Sequence, residues 1–174
     1  MEYVILVNEA DQETGLMEKM EAHQKGMLHR AFSVFVFNEN QELLLQQRAL
    51  SKYHSGGLWT NTCCSHPRAG ESIADAAQRR LLEELGFSCN LDTVFSFIYH
   101  AELDNELTEH ELDHVLIGYH NTGGVPNPEE VMDTKWVSLN WLEMEVKEKP
   151  QDFTAWFRII MNESLPALKR ALDQ

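Results

Sequence analysis

A chain of 174 residues, 43% hydrophobic and 24% charged, is long enough for one domain (residues 1–174) with its own core and too apolar to remain disordered. Its net charge of −14, from 14 Lys+Arg against 28 Asp+Glu, disfavours sequence-independent nucleic-acid binding and suits recruitment of divalent cations. Three cysteines are too few for a disulfide framework, no apolar run spans a bilayer, and the acidic start lacks a signal peptide's basic end, so a cytoplasmic protein that binds no membrane is expected, with a monomer as the default.

In chain order, Tyr3–Val7 predicts a short strand, and residues 11–28 are polar with turn signals. Ala31–Phe37 is aromatic and β-branched, and Asn38–Gln41 turns it into Leu43–Gln47, so the two read as a hairpin. Trp59–Cys63 predicts another short strand. Ile73, Ala77, Leu81 and Leu85 recur every fourth residue, which predicts a helix of roughly 14 residues that Gly86 stops in a left-handed cap. Leu91–His100 and Leu112–Tyr119 predict strands about the acidic loop Asp104–Glu109, and Thr134–Val137 a last short one. The tail reads as helical over Leu139–Glu145, Asp152–Glu163 and Pro166–Leu172. The expected fold is α/β (α+β), a mixed sheet flanked by helices.

The chemistry concentrates in Thr60–Pro67, where Cys64 and His66 directly precede the predicted helix with its paired carboxylates Glu83 and Glu84. His23, His29 and His66 with Glu109 and Glu111 would supply three nitrogen and two oxygen donors, a set suited to Zn²⁺, Mn²⁺, Fe²⁺ or Mg²⁺. Glu109 and Glu111 are two apart, so on a strand both point to one face. Glu83 and Glu84 suit a hydrated Mg²⁺ shared with substrate phosphates. Cys64 is a candidate proton donor, because a thiol with a reference pKa of about 8.5 stays mostly protonated at neutral pH. Against these stand plainer readings. His54, His100, His110, His114 and His120 are read as ordinary surface or capping histidines, and Cys63 and Cys89 as small buried hydrophobes. Arg79–Glu83 and Arg80–Glu84 could simply be i,i+4 pairs on the helix surface.

Residues 71–87 resemble an altered Nudix box, with Glu71, Arg79, Leu81, Glu83, Glu84 and Gly86 in register, Phe87 for the final aliphatic, Ser65 in place of the leading glycine and Arg80 in place of a glutamate. Leu28–Ser33, Gln47–Lys52, Trp59–Pro67, Glu109-His110-Glu111 and Trp156 resemble the type I isopentenyl diphosphate isomerases, over roughly residues 19–160. That resemblance implies a Nudix-like mixed sheet between helices, with N- and C-terminal extensions over the active site. It also implies interconversion of isopentenyl and dimethylallyl diphosphate in isoprenoid biosynthesis. One divalent metal (Zn²⁺, Mn²⁺ or Mg²⁺) would be held by His23, His29, His66, Glu109 and Glu111. Cys64, Glu111 and Tyr99 match the catalytic residues. Glu84 matches the ligand of the Mg²⁺ that arrives with the small-molecule diphosphate substrate. Lys19, Arg48, Lys52 and Arg80 match its diphosphate contacts, and Trp156 offers a π face beside the substrate. On this reading Arg80 is a substrate ligand where a hydrolase would place a metal carboxylate. The alternatives are a Nudix pyrophosphohydrolase, which leaves Cys64 without a role, and a structural zinc domain, for which five N/O donors are a poor set.

Overall fold

The computed structural model describes residues 1–173. Nine strands are joined in one mixed sheet: β1 (Tyr3–Val7), β2 (Glu13–Glu18), β3 (His29–Phe37), β4 (Glu42–Arg48), β5 (Trp59–Thr60), β6 (Cys63–Ser65), β7 (Leu91–Glu102), β8 (Thr108–Tyr119) and β9 (Val131–Ser138). The helices are α1 (Lys19–Lys25), α2 (Ile73–Leu85), α3 (Leu139–Glu148), α4 (Ala155–Ile159) and α5 (Leu165–Leu172).

β3 is the spine. It pairs in parallel with β8 from His29↔Glu111 to Phe37↔Tyr119, and β7 continues the sheet antiparallel beyond β8. Side chains alternate across β3: Val34 and Val36 pack with Ala77, Leu81 and Leu85 of α2, whereas Phe35 and Phe37 pack with Phe157, Ile160 and Leu168 of the C-terminal helices. A strand buried on both faces reads as a near-continuous apolar run, and AFSVFVF is apolar but for Ser33. A helix layer therefore covers each face.

The expected hairpin between β3 and β4 opens at once. Only Phe37↔Leu43 pairs; β4 instead joins β9 along its whole length and β5 at Gln46 and Gln47. The reason is β6, which occupies the free edge of β3 from Phe32↔Ser65 to Val34↔Cys63. Thr62 fills the fork between β3 and β4: its hydroxyl accepts from Val36 N–H at 2.9 Å and donates to Leu44 O at 2.6 Å, replacing ladder bonds the divergence removes. The predicted strand Trp59–Cys63 is accordingly two pieces with different partners.

Helix α2 runs as the periodicity predicts, from a Ser72 cap that accepts Asp75 N–H to Gly86 at φ 71°. Two of its last carbonyls are taken by the loop after β8, Leu85 O by Val125 N–H and Glu84 O by Asn127 N–H, both at 2.8 Å. Residues 11–28, read as turns, contain β2 and α1. The helix is too short for a periodic signal, and Glu18 caps it by accepting Glu21 N–H at 2.9 Å. The predicted helix Asp152–Glu163 starts later, at Ala155, and widens into a π turn over Ile160–Ser164 before α5. Among the described residues no helix is long and apolar enough to cross a membrane.

Candidate active site

Strand register builds the site. His29 of β3 stands opposite Glu111 of β8, and Glu111 stands opposite Tyr99 of β7, so the three side chains form a row across the sheet. Glu109 follows on the same face, and both glutamates are buried. Ser33 pairs with Cys64 on the other edge of β3, which brings the thiol to the same cavity. His66 lies two residues beyond Cys64, and its Nε2 is 2.9 Å from Glu111 Oε1.

The cavity, about 40 Å³, is walled by Cys64, His66, Glu84, Tyr99, Glu111 and Trp156, and all four predicted basic residues reach it. A wider cavity of about 420 Å³ adjoins it beneath β1 and β2, sharing Lys19, His66 and Arg80. Each basic residue has a partner here. Lys19 Nζ is 2.8 Å from Glu2 Oε2 and lies over the Tyr53 ring, and Lys52 pairs with Glu130. Arg48 donates to His54 O at 3.1 Å and lies 5.2 Å from the Trp156 ring centroid. Arg80 binds Glu83 and Glu84, each at 2.6 Å. Of the paired helical carboxylates only Glu84 is buried at the cavity; Glu83 is exposed. The second Glu84 oxygen accepts from Gln46 Nε2 at 2.8 Å.

The metal-ready residues divide into two groups. His23, His29, His66 and Glu111 present donor atoms all within 4.8 Å of one another, and His23, His54 and Glu109 do the same. Glu109 is thus placed with His54 rather than with the first four. The donor chemistry fits a cation. His23 and His29 each turn Nδ1 to a backbone carbonyl, Lys19 O at 2.7 Å and Met27 O at 2.8 Å, so each ring carries its proton there. Their Nε2 lone pairs then face inward: His23 Nε2 is buried without a partner, and His29 Nε2 lies 3.3 Å from His66 Nε2. Lone pairs converging on a carboxylate, with the far nitrogens anchored, are the arrangement a divalent cation takes.

Burial sets the proton affinities. It pushes the Cys64 thiol up, against the pull of Arg48, so the proton stays on sulfur. It lowers His66 to about 4, keeping that imidazole neutral. Burial alone would raise Glu111, but the two imidazoles at its oxygen, His29 beside it and His66 donating Nε2–H, outweigh it and hold the carboxyl well below the usual range. Burial, then the Glu111 charge, pushes Glu109 well above it. The Tyr99 hydroxyl lies 2.6 Å from Glu111 and 2.8 Å from Glu109. It owns one proton, which it donates to Glu111; the second contact then needs a proton on Glu109, in line with the raised affinity there.

Four neighbours were missed in the sequence. Tyr53 and His54 line the cavity from the loop between β4 and β5. Ser33 donates to Asp113 at 2.7 Å, and Asp113 is the third inward acid of β8 after Glu109 and Glu111. The period-2 spacing Glu109-Glu111-Asp113 was a readable signal; an isolated tyrosine or histidine in a polar loop carried none.

A sequence model of the NUDIX domain matches residues 27–157. Solved structures agree on the fold: a Deinococcus radiodurans protein with TM-score 0.77 and 16% identity covers 92% of this chain and 98% of its own. A MutT protein of Methanosarcina mazei, TM-score 0.64 and 19% identity, covers 78% and 91%. The fold and the altered box thus define a NUDIX-domain protein. Among curated proteins, isopentenyl-diphosphate Delta-isomerase 1 of Aromatoleum aromaticum is 55% identical over 88% of this chain and 86% of its own length. The isopentenyl-diphosphate Delta-isomerase of Burkholderia multivorans is 47% identical over 97% of both. The chain belongs to the isopentenyl-diphosphate Delta-isomerase family.

Proposed function

We propose that the chain interconverts isopentenyl diphosphate and dimethylallyl diphosphate by protonating one end of the allylic system and deprotonating the other. The observation that carries the reading is one cavity holding a protonated thiol, Cys64, and an ionised, hydrogen-bonded carboxylate, Glu111, with Tyr99 on the carboxylate. Alkene isomerisation needs an acid and a base on a substrate that offers neither, and these two differ as required. The family resemblance of the curated relatives points the same way.

An unactivated alkene is a poor base, so the path passes near a tertiary cation. Cys64 and Glu111 are the proton carriers, and Tyr99 holds the Glu111 carboxyl in place. Trp156, buried and lining the cavity, offers a π face; such contacts contribute about 2 kcal/mol in a dry site and assist rather than carry the reaction. Positioning and preorganised electrostatics supply the larger share. Lys19, Arg48, Lys52 and Arg80 hold the diphosphate, whose oxygens compete with Glu2, Glu130 and Glu84 for them. A divalent cation at the His/Glu centre would raise the acidity of nearby protons, and Mg²⁺ at Glu84 would neutralise diphosphate charge. Glu2, beside β1 at the wider cavity, and Trp156 of α4 place the N-terminal ribbon and the C-terminal helices against the site, where they exclude water from the cation.

Hydrolysis of a diphosphate is the weaker reading. Arg80 replaces a box carboxylate and ties up Glu84, and Cys64 would be idle. Allylic diphosphates ionise readily in acid and homoallylic ones do not. Incubation with isopentenyl diphosphate and Mg²⁺ should therefore generate acid-labile product without free phosphate. Phosphate release without acid-labile product would establish the hydrolase.

A further inference from the structure

His54 belongs to neither the Nudix box nor the Cys-x-His segment, yet it stands at the metal-ready cluster. It is 3% exposed, and its Nε2 lies 3.5 Å from Glu109 Oε1, too far for a strong direct hydrogen bond. With His23 Nε2 these two donors sit within 4.8 Å of one another. His23 is common to this group and to the group with His29, His66 and Glu111. Its Nδ1 is committed to Lys19 O, so it has a single lone pair, on a buried Nε2 that has no hydrogen-bond partner. One lone pair serves one ion. Two separate ions cannot both draw on His23, and an ion held there stands beside the donors of both groups.

We propose that His54 is a ligand of the divalent-cation centre, completing a six-donor set of four imidazoles and two carboxylates: His23, His29, His54, His66, Glu109 and Glu111. The loop that carries it is pinned at three successive residues. Asn105 Nδ2 donates to Tyr53 O at 3.2 Å, Arg48 Nη2 to His54 O at 3.1 Å, and Ser55 N–H to Asp104 Oδ1 at 3.3 Å. His54 Nδ1 contacts Ser55 Oγ at 3.1 Å, so the nitrogen that does not face Glu109 has its own anchor, as metal-bound imidazoles do. Four nitrogens with two oxygens favour the imidazole-preferring ions, Zn²⁺, Co²⁺ and Fe²⁺, over Mg²⁺ at this centre.

The inference rests on the metal-site part of the proposed function and not on the reaction, and its test is read without turnover. The full chain is loaded with Co²⁺, the bound ion is counted, and the paramagnetically shifted, exchangeable imidazole N–H protons are resolved by proton NMR. Each imidazole bound through Nε2 keeps one such proton. One ion per chain with four shifted N–H signals is expected, falling to three in His54→Ala, with Co²⁺ affinity lowered about tenfold or more by chelator competition. Three signals in the unmodified chain, an unchanged count in His54→Ala, or two ions per chain overturns it. Should His54→Ala not fold, the count in the unmodified chain decides alone. A chain that gives four signals but no rearranged product would leave this inference standing and refute the reaction.

Discussion

Cys64 is a thiol kept protonated by burial, in the same cavity as a carboxylate, Glu111, held ionised by the imidazoles beside it. Removing the acid should leave binding in place and stop proton transfer. Cys64→Ala is expected to lower kcat by about 10³-fold with KM changed little, read by steady-state kinetics; general acid–base groups contribute about 10²–10⁴. A loss confined to KM would assign Cys64 to binding instead. Arg80 makes a different kind of prediction. It is half-buried beside Glu84, and burial opposes its charge most, but the carboxylates of Glu84, Glu130 and Glu83 together outweigh that cost. Arg80→Gln leaves the 4%-exposed Glu84 carboxylate facing no cation, which should cost about 3 kcal/mol in denaturant unfolding. Added Mg²⁺ should recover part of the loss by replacing the missing charge. A change below about 1 kcal/mol would mean Glu84 is not dependent on Arg80. Cys64, His66, Glu109 and Glu111 were legible because short spacings place them together. Tyr53 and His54 were not, because only the fold of the loop between β4 and β5 turns them inward.

Among the elements, α2 shows how much of a helix can be read in advance. Its apolar period and Gly86 predicted its core face and its end; the Ser72 cap and the split of Glu84 inward from Glu83 outward come from the structure, whereas the spacing alone leaves both glutamates as cation ligands. Glu71 anchors the approach to it: its carboxylate accepts Arg79 Nε and Nη2 at 2.7 and 2.9 Å and Arg68 N–H at 2.9 Å. The Arg79 hydrogen bond, ahead of any charge effect, lowers the Glu71 pKa in the folded chain. A depressed carboxyl contributes stability that is present above its unfolded value, about 4.3, and lost as pH falls through the folded value. Glu71→Gln should therefore destabilise by about 1–2 kcal/mol at pH 7, with the gap from the parent closing below about pH 4 in thermal or denaturant melts. A gap independent of pH would show that the contact acts without its charge. The hairpin reading of β3 and β4 failed for a reason no local signal reveals: β6 and Thr62, remote in sequence from the turn, occupy the edge that β4 would have taken.

For the molecule as a whole, the alternation along β3 divides the interior between α2 and the C-terminal helices, and the site opens where the strand row meets the loops. Phe157 is fully buried and packs on Phe35 and Phe153. Phe157→Ala should cost about 3–5 kcal/mol and also loosen Trp156 one residue away, so that stability and kcat fall together. An unfolding cost under about 1 kcal/mol would place this layer outside the cooperative core. The mixed, helix-flanked sheet was readable from strand and helix patterns alone. The N-terminal ribbon and α1 were not, because their stability comes from docking: β1 meets β3 at Leu6↔His29, and Lys19 reaches back to Glu2 across the site.

The most direct measurement is proton NMR of isopentenyl diphosphate with Mg²⁺ in D₂O, run with the purified chain and with Cys64→Ala. Dimethylallyl diphosphate carrying deuterium in a methyl group is expected for the parent and none for the variant. Unchanged isopentenyl diphosphate with the parent, or equal rearrangement by Cys64→Ala, would contradict the proposed mechanism.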